Sequence, residues 1–233
     1  EVAGPGFMNI KLSKSALIEN INSILSDNDN YGSKKKNETY NIEFVSANPT
    51  GPMHVGHCRG AIYGDVLANL LTFNGKKVIK EYYINDYGSQ INNFVESVYC
   101  RILEIKFKKP FPKRDNLYPG LYIKDIAVKI LSENDSLDFK DFEKNFEYLK
   151  KKSLEASMQL IKKDLKLLGI KHDNFFSETE IVNKDLVNKA IDLLKKKKYV
   201  EKGFLQPPKG EINDNWKNVE RLIFKSTLFG DDS

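Results

Sequence analysis

Two kinds of periodicity meet within the stretch Glu43-Phe-Val-Ser-Ala-Asn-Pro-Thr-Gly-Pro-Met-His-Val-Gly-His-Cys-Arg-Gly60. The residues Tyr40–Ser46, which lead into it, alternate well enough to predict a β-strand. The segment Ala47–Gly56 contains two prolines and two glycines, which cannot continue a strand because proline lacks the amide N–H that a sheet needs. The strand is therefore predicted to end in a loop.

A helix and a second strand are predicted to follow. In residues 57–74 apolar side chains recur at every fourth position, and Asn74-Gly75 supplies a C-terminal cap, so we expect an amphipathic helix packed on a sheet. The recurring residues are Ile62, Val66 and Leu70, with Leu67 and Leu71 beside them. Lys77–Ile84 then predicts a strand, which completes a parallel βαβ unit. Ligands bind at the carboxyl ends of such strands, so Ser46–His57 and Asn85–Gln90 should lie on one rim of one cleft.

His54 and His57 stand three apart around Gly56, where the loop enters the predicted helix. A helix N-terminus carries unpaired N–H groups and partial positive charge, and it therefore attracts phosphate. Two imidazoles on the first turn add donors to the same anion, and Gly56 lets a nucleotide approach the backbone closely. Two other interpretations stay open: a metal site with neighbouring Cys58, which lacks the usual further ligands, and a capped helix start whose histidines bond only locally.

Length and composition favour a soluble globular protein of one large domain, or of one domain with an insertion. The chain has 233 residues, 40% hydrophobic and 30% charged, and no apolar run reaches the roughly 18 residues of a membrane helix. Glu1–Phe7 shows no secretory signal, and Cys58 and Cys100 form no CxxC pair, so we expect a cytoplasmic protein with ordinary thiols. The net charge of +5 fits a polyanionic partner only weakly, because solvated faces often carry lysine runs.

Segments on both sides of the βαβ unit have patterns of their own. Residues 8–28 predict a strand and then a helix with Ser13 or Ser15 as N-cap, and Ser26–Thr39 predicts a linker. Ile91–Lys106 predicts a helix and Phe107–Pro119 a loop. A long amphipathic stripe ended by Gly169 consists of Leu154, Met158, Ile161, Leu165 and Leu168, which we expect to be buried. The C-terminal segments predict a helix, a strand and a turn, at Lys184–Lys197, Tyr199–Leu205 and Gln206–Gly210.

The stretch quoted first resembles the HIGH signature region of class I arginyl-tRNA synthetases almost residue for residue. The resemblance continues through Gly64-Asp65, Tyr82–Gly88, Gln90, Tyr118–Gly120, Leu165–His172 and Pro207–Asp232. Glu1–Leu12 resembles the end of the family's N-terminal tRNA-binding domain, so the resemblance covers nearly the whole chain. Val219 and Arg221 stand where the family usually has Arg and Gln.

The resemblance implies an α/β fold: a Rossmann-like class I synthetase catalytic domain with the HIGH-signature nucleotide-binding fold, incomplete, and with a mainly helical insertion. Residues 1–39 would form the end of the tRNA-binding domain plus a linker, and residues 40–90 the first βαβ half of the catalytic domain. Residues 91–180 would form the helical insertion. Residues 181–233 would return toward the catalytic domain, and the chain would stop before the family's later arginine-pocket residues, KMSKS-type loop and anticodon-binding domain.

The resemblance also implies an arginine site. Glu43 would face the substrate guanidinium, for which a carboxylate is the matched bidentate acceptor. Ser46 and Asn48 would bind the amino and carboxyl groups of the substrate. Asp86 and Gln90, on the facing rim, are further candidates.

For ATP, the resemblance implies that His54, Gly56 and His57 hold the phosphates. His54 and His57 would also be the catalytic pair, stabilising charge that develops at the α-phosphorus. The whole signature region comprises Ala47, Asn48, Pro49, Thr50, Gly51, Pro52, Met53, His54, Val55, Gly56 and His57.

The implied reaction is the ATP-dependent activation of L-arginine to arginyl-adenylate, followed by transfer of arginine to tRNA(Arg). Magnesium would accompany ATP, the family characteristically needs tRNA present for activation, and we expect no protein-bound structural metal and a monomer. Two alternatives stay open. One is another HIGH-bearing adenylyltransferase, such as a cysteinyl-tRNA synthetase or a pantothenate synthetase; the other is a catalytically dead synthetase-like RNA-binding or scaffold module.

Overall fold

A three-stranded sheet carries the segment with the histidines. The computed structural model describes residues 2–33, 38–134, 137–204 and 219–231. The strands are β3 (Thr39–Glu43), β4 (Lys77–Ile84) and β5 (Asn174–Ser177), in the order β3-β4-β5. Strands β3 and β4 are parallel, with Glu43 in register with Glu81, and helix α2 (Val55–Phe73) connects them. The predicted parallel βαβ unit is confirmed.

Strand β3 ends at Glu43, three residues before the predicted end at Ser46. Val45 and Ser46 have positive φ angles, of 69° and 40°, which an extended strand cannot contain. The prediction of a strand to Ser46 was wrong because alternation cannot reveal that the chain turns away inside an apolar segment. The turn brings Ser46 back over the end of its own strand.

Helix α2 packs on the sheet by a different face from the one predicted. The predicted stripe is exposed, with Ile62 at 50%, Val66 at 49% and Leu70 at 56%. The residues buried instead are Ala61, Gly64 and Ala68. A Cβ atom at Gly64 would lie 2.3 Å from Cγ of Phe44, so the small residues allow a close approach of helix to strand. The helix is apolar on several faces, and its periodicity therefore could not indicate which face packs.

A polar network ties α2 to β4. The ammonium group of Lys80 contacts Oδ1 of Asp65 at 2.7 Å and Oδ1 of Asn69 at 3.0 Å. Both charged side chains of the pair are less than one-fifth exposed, so water screens their attraction only partly. The backbone N–H of Lys80 also donates to the carboxylate of Asp173 at 2.9 Å, just before β5.

Three helices follow the βαβ unit, and two of them correspond to the helix and the amphipathic stripe that the sequence predicted. They are α3 (Ser89–Phe107), α4 (Leu121–Glu133) and α5 (Phe142–Leu167). Their apolar faces meet in a core that includes Phe94, Ile123 and Leu149, all fully buried. The segment between α3 and α4 is a loop that ends at Gly120, close to the predicted bounds.

The predicted stripe of α5 is largely buried. Met158, Ile161 and Leu165 pack with Phe44 and Tyr82 in a second core that joins the helix to the sheet. Leu154 is only partly buried, and it contacts the first core. Leu168 is 39% exposed, so the prediction that it is buried was wrong. Helix α5 ends at Leu167 and Leu168 is its C-cap, where the helical spacing of the stripe stops.

In the N-terminal segment the predicted helix is confirmed, but the predicted strand is wrong: of residues 8–13, only Met8 belongs to a strand. A short antiparallel pair, β1 (Val2–Ala3) and β2 (Phe7–Met8), precedes helix α1 (Lys14–Asp27). Ser13 is the N-cap of α1, and its hydroxyl accepts the N–H of Ala16 at 3.1 Å. In the predicted linker, a single 3₁₀ turn follows α1 at Asn28–Asn30, and residues 34–37 lie outside the described part.

Residues 177–233 form a separate unit from residues 1–176. Its elements are α6 (Glu178–Asn183), α7 (Leu186–Lys196), β6 (Val200–Gly203), β7 (Arg221–Phe224) and a 3₁₀ turn at Ser226–Phe229. Strands β6 and β7 are antiparallel. The predicted helix and strand correspond to α7 and β6. The predicted turn at Gln206–Gly210 lies outside the described residues, as do all but residues 219–231 of the resemblance over 207–232.

Two expectations from composition concern cysteines and membranes. Cys58 and Cys100 are both free, and burial raises the pKa of the Cys100 thiol. None of the helices in the described ranges combines the length and apolar character that crossing a bilayer requires.

Candidate functional site

The carboxyl ends of β3 and β4 meet through three amide side chains. The side-chain N–H of Asn48 donates to Gln90 at 2.8 Å, and its carbonyl oxygen accepts from Asn85 at 3.1 Å. Asn48 follows β3, whereas Asn85 and Gln90 follow β4. The two segments expected to share one rim therefore do meet, and Asn48 is the residue at their junction.

Glu43 and Ser46 form one hydrogen-bonded unit at the end of β3. The Ser46 hydroxyl donates to the Glu43 carboxylate and accepts the backbone N–H of Tyr83 at 3.0 Å. Ile42 and Phe44 pack into the second core, so alternation along β3 directs Glu43 to the opposite side of the sheet. The Glu43 side chain is exposed there. A carboxylate that accepts one hydroxyl proton keeps acceptor capacity for a cationic ligand.

Both histidines bond to the first turn of α2. His54 is the N-cap, and its Nδ1 accepts the backbone N–H of Gly56 at 3.1 Å. Nδ1 of His57 accepts the backbone N–H of His54 at 3.3 Å, which completes a capping box. The two rings stack with centroids 3.7 Å apart. The alternative of a locally bonded, capped helix start is therefore part of the structure.

The same contacts determine which ring nitrogens remain for a ligand. An Nδ1 that accepts a hydrogen bond carries no proton, so in a neutral imidazole the proton is on Nε2. Burial, and then the neighbouring His54, lower the pKa of His57. At neutral pH the His57 imidazole is therefore an uncharged Nε2–H donor at a helix N-terminus. Local capping occupies Nδ1 of each ring and leaves Nε2 available to a ligand.

Gly56 leaves room for the stacked rings. A Cβ atom at this position would lie 3.0 Å from Cε1 and 3.1 Å from Nδ1 of His54. Contacts this short are tighter than ordinary van der Waals packing. The sequence argument assigned the glycine to close approach of a nucleotide, and the structure adds a second use, the fit of the His54 ring.

Three side chains from distant elements hold the loop between β3 and α2. The Tyr82 hydroxyl donates to the carbonyl of Ala47 at 2.8 Å, and the Tyr122 hydroxyl donates to that of Thr50 at 3.0 Å. The Asp164 carboxylate accepts the backbone N–H of Met53 at 3.2 Å. Burial raises the pKa of both tyrosines, so their hydroxyls remain donors at neutral pH. Sequence reasoning did not find these contacts, because no local pattern marks a side chain that bonds a distant backbone.

Asp86 lies beside a cavity of about 350 Å³. The cavity is bounded by the end of β4 and by α5, with Met158 on its apolar side and Lys162 and Glu155 among its charged residues. Asp86 therefore adjoins the junction of Asn48, Asn85 and Gln90 in the chain, but it faces α5. Among the residues that the structure describes, no three His, Cys, Asp or Glu side chains are grouped so as to hold a metal ion.

Comparisons with known proteins agree on one family. The family model "tRNA synthetases class I (R), catalytic domain" matches residues 20–203. A protein of Pelagibacter ubique named arginine–tRNA ligase is 52% identical over 99% of this chain, and one of Ehrlichia ruminantium is 47% identical over 99%. The chain spans about 40% of the length of these curated relatives.

A solved structure from Campylobacter jejuni, provisionally named an arginyl-tRNA synthetase, superimposes with a TM-score of 0.77 at 31% identity. It matches 95% of this chain and 45% of its own. The fold, the HIGH stretch at the N-terminus of α2 and the family match over most of the chain lead to the same result. The chain belongs to the catalytic-domain family of class I arginyl-tRNA synthetases.

Proposed function

We propose that the whole protein is an arginine–tRNA ligase, which joins L-arginine to tRNA(Arg) at the expense of ATP. The observation that carries the proposal is the β3–α2 connection. Within it, the carboxylate of Glu43 ends a strand, and two stacked histidines begin the next helix. A cation acceptor and a phosphate-binding helix N-terminus on one loop suit a reaction between a cationic amino acid and ATP.

We assign the ATP phosphates to the N-terminus of α2. His54 and His57 use Nδ1 for capping, which leaves Nε2–H of the neutral His57 as a hydrogen-bond donor toward a phosphate oxygen. Because the pKa of His57 is lowered, this donor acts at neutral pH without carrying charge of its own. The helix dipole adds positive potential at the same place. Donors held in this way stabilise charge that grows on the phosphate oxygens in the transition state.

We assign arginine to the rim next to this helix. Glu43 would accept the guanidinium in a two-pronged contact, and Ser46 holds one carboxylate oxygen in place. Asn48, fixed by Gln90 and Asn85, would bind the main-chain groups of the substrate. Asp86 and Gln90 are the further candidates on the β4 side. Glu43 is exposed in the described chain, and we propose that the whole protein adds the remaining walls of this pocket.

The proposed chemistry has two steps. A carboxylate oxygen of arginine attacks the α-phosphorus of the ATP–magnesium complex, the bond to the β-phosphate oxygen breaks, and pyrophosphate leaves. A terminal ribose hydroxyl of tRNA(Arg) then attacks the carbonyl carbon of the adenylate, and AMP leaves. No enzyme group becomes covalently attached, so rate acceleration comes from holding the two reactants together and from fixed donors at the phosphorus.

The parts of the chain receive roles by the same resemblance. We propose residues 1–39 as the end of a tRNA-binding domain plus linker, and residues 40–90 as the first half of the nucleotide-binding fold. Residues 91–180 would be the helical insertion, and residues 181–233 the return to the catalytic domain. We further propose that the protein acts as a monomer in the cytoplasm, where aminoacyl-tRNA is consumed.

The test is pyrophosphate exchange into ATP by the whole protein, with and without tRNA(Arg). We expect exchange with arginine in the presence of tRNA(Arg), and none with lysine or with citrulline, the uncharged analogue of arginine. Exchange that depends on cysteine or on another acid would reveal a different adenylyltransferase. Tight tRNA binding without any exchange would make the protein an RNA-binding relative instead.

A further inference from the structure

Asp164 lies in the last two turns of helix α5 and contacts the loop between β3 and α2. Its Oδ2 atom accepts the backbone N–H of Met53 at 3.2 Å, across 111 residues of sequence. Met53 immediately precedes His54, the N-cap of α2. The contact thus lies one residue away from the first of the two histidines, although Asp164 belongs to a different part of the chain.

The backbone of Asp164 is well anchored. Ile161 and Leu165, its neighbours on α5, are 0% and 2% exposed and pack into the core with Phe44 and Tyr82. An acceptor oxygen on such a helix holds its partner more firmly than one on a loop, because the packing of these neighbours fixes the helix backbone. The backbone of Met53 is therefore held by a fixed acceptor outside its own loop, the carboxylate of Asp164.

The orientation of His54 depends on the hydrogen bond between Asp164 and Met53. The N–H of Met53 belongs to the peptide that joins Pro52 to Met53, so Asp164 holds the backbone on the N-terminal side of Met53. The backbone N–H of His54 bonds to His57 and its ring bonds to Gly56, so both contacts depend on where Met53 places His54. Among the described residues, no other side chain bonds to the N–H of Met53. Without the bond to Asp164, the peptide that joins Pro52 to Met53 can rotate, Met53 can shift, and the stacked pair can lose its direction.

We propose that Asp164 is a positioning residue for the proposed nucleotide site: it fixes the peptide that joins Pro52 to Met53, and through Met53 the direction of the two imidazoles. The inference rests on the proposed function for its catalytic consequence. Asp164 acts through the backbone of Met53 and touches no reacting atom. What matters is an acceptor oxygen at this position, so the negative charge itself is dispensable.

The kinetic test compares three variants of the whole protein. Asp164→Ala removes the acceptor, Asp164→Asn keeps an acceptor oxygen without the charge, and Glu147→Ala removes an exposed carboxylate from the same helix. We expect Asp164→Ala to lower kcat of adenylate formation roughly ten-fold and to change KM for arginine little. The reason is that misplaced histidines slow the chemical step but do not contact arginine. Asp164→Asn and Glu147→Ala should stay within about two-fold of the wild type. An Asn variant as slow as the Ala variant would overturn the proposal.

A double variant separates positioning from general damage. If Asp164 acts through the two histidines, the roughly ten-fold effect of Asp164→Ala should almost vanish when it is introduced into the variant that carries both His54→Ala and His57→Ala, because coupled residues are not additive. A loss of the same size in both backgrounds would show that Asp164 supports the fold and does not position the histidine.

A structural readout keeps this test independent of the proposed function. Hydrogen exchange of the Met53 amide in the whole protein should speed up in Asp164→Ala and remain slow in Asp164→Asn and Glu147→Ala. Slow exchange in the Ala variant would refute the positioning contact even if the protein activates another substrate. If the wild type shows no arginine-dependent exchange of pyrophosphate but the amide behaves as expected, the proposed function fails and the contact stands.

Discussion

The imidazoles of His54 and His57 stack with their centroids 3.7 Å apart and their planes 20° from parallel. Each ring uses Nδ1 to accept a backbone N–H of the same helix turn. The rings therefore have a structural use and, at Nε2, a proposed chemical use, and a suitable substitution can remove one without the other.

His57→Ala should remove both uses of His57. We expect adenylate formation to slow by about a hundred-fold, the usual scale for a lost donor to developing charge, and unfolding free energy to fall by about 1 kcal/mol with the lost cap. His57→Gln can still accept the N–H of His54, because Gln at this position completes a capping box. It should restore the stability but not the rate.

Urea unfolding and single-turnover kinetics measure the two effects separately. A glutamine variant that recovers both would show that the donor at this position need not be an imidazole, because the glutamine amide also carries N–H groups. An alanine variant with unchanged rate would return His57 to a purely capping role.

Glu43→Gln should weaken arginine binding by about a hundred-fold or more, because a buried guanidinium then lacks one of its counter-charges. The ATP dependence should change far less. The measurement is adenylate formation by the whole protein across arginine and ATP concentrations. Glu147→Gln removes the same charge at an exposed place on α5 and should leave both dependences unchanged.

The size of the loss of arginine binding in Glu43→Gln also shows how far the site is shielded from water. Glu43 is exposed in the described chain, and a loss of only a few-fold would be typical of a solvated ion pair. Such a small loss would contradict the proposed enclosed pocket. A shift in the ATP dependence alone would mean that the carboxylate serves the other substrate.

Gly64→Ala should destabilise the protein by about 2 kcal/mol, the scale of an overpacked core. The added Cβ would lie 2.3 Å from Cγ and 2.6 Å from Cβ of Phe44, where α2 meets β3. Gly60→Ala lies in the same helix and its Cβ would meet nothing within 4 Å, so it should stabilise by up to about 1 kcal/mol. Chemical denaturation of both variants tests the close approach, and equal effects would contradict it.

Acid should destabilise the fold through His172. Its Nε2 bonds to the carbonyl of Phe44 at 3.3 Å, and its buried Nδ1 has no partner among the described residues. Burial, as the main cause, lowers the pKa of His172, so the unfolded chain takes up a proton at higher pH than the folded chain. This contribution to stability is complete above the unfolded pKa, about 6.5, and is lost as pH falls below it.

The free energy of unfolding, measured in urea between pH 7.5 and pH 5.5, tests this sign. We expect it to fall toward pH 5.5 in the wild type and to fall less in His172→Phe, which cannot take up the proton. His57 has a lowered pKa as well and contributes in the same direction, so part of the slope should remain. If the free energy of unfolding falls with pH as steeply in His172→Phe as in the wild type, groups other than His172 cause the acid sensitivity.

The β3–α2–β4 unit could be predicted because its signals are local. Lys77–Ile84 was predicted with the bounds that β4 has, and Asn74-Gly75 marks the end of α2. The face by which α2 packs could not be predicted, because the decisive residue is Gly64, which carries no hydrophobic signal. What decides the packing is the fit of that glycine against Phe44, a contact between two elements.

The site divides in the same way. His54 and His57 were found from their spacing at a helix start, and Asn48 from its place after a strand. Tyr122 and Asp164 were not found, since each bonds a carbonyl or an N–H of the loop, and backbone groups have no identity in the sequence.

Three side chains hold the loop between β3 and α2, and they lie 35, 72 and 111 residues downstream of the backbone groups they bond. These anchors are Tyr82, Tyr122 and Asp164. During synthesis the loop leaves the ribosome well before Tyr122 and Asp164 exist, and at about 5–20 residues per second the last anchor follows it by roughly 5–20 seconds. Strand β3 and helix α2 can form in that interval, but the peptide that joins Pro52 to Met53 is not yet fixed. The proposed nucleotide site can thus mature only after Asp164 has been made, although its two histidines are made well before that residue.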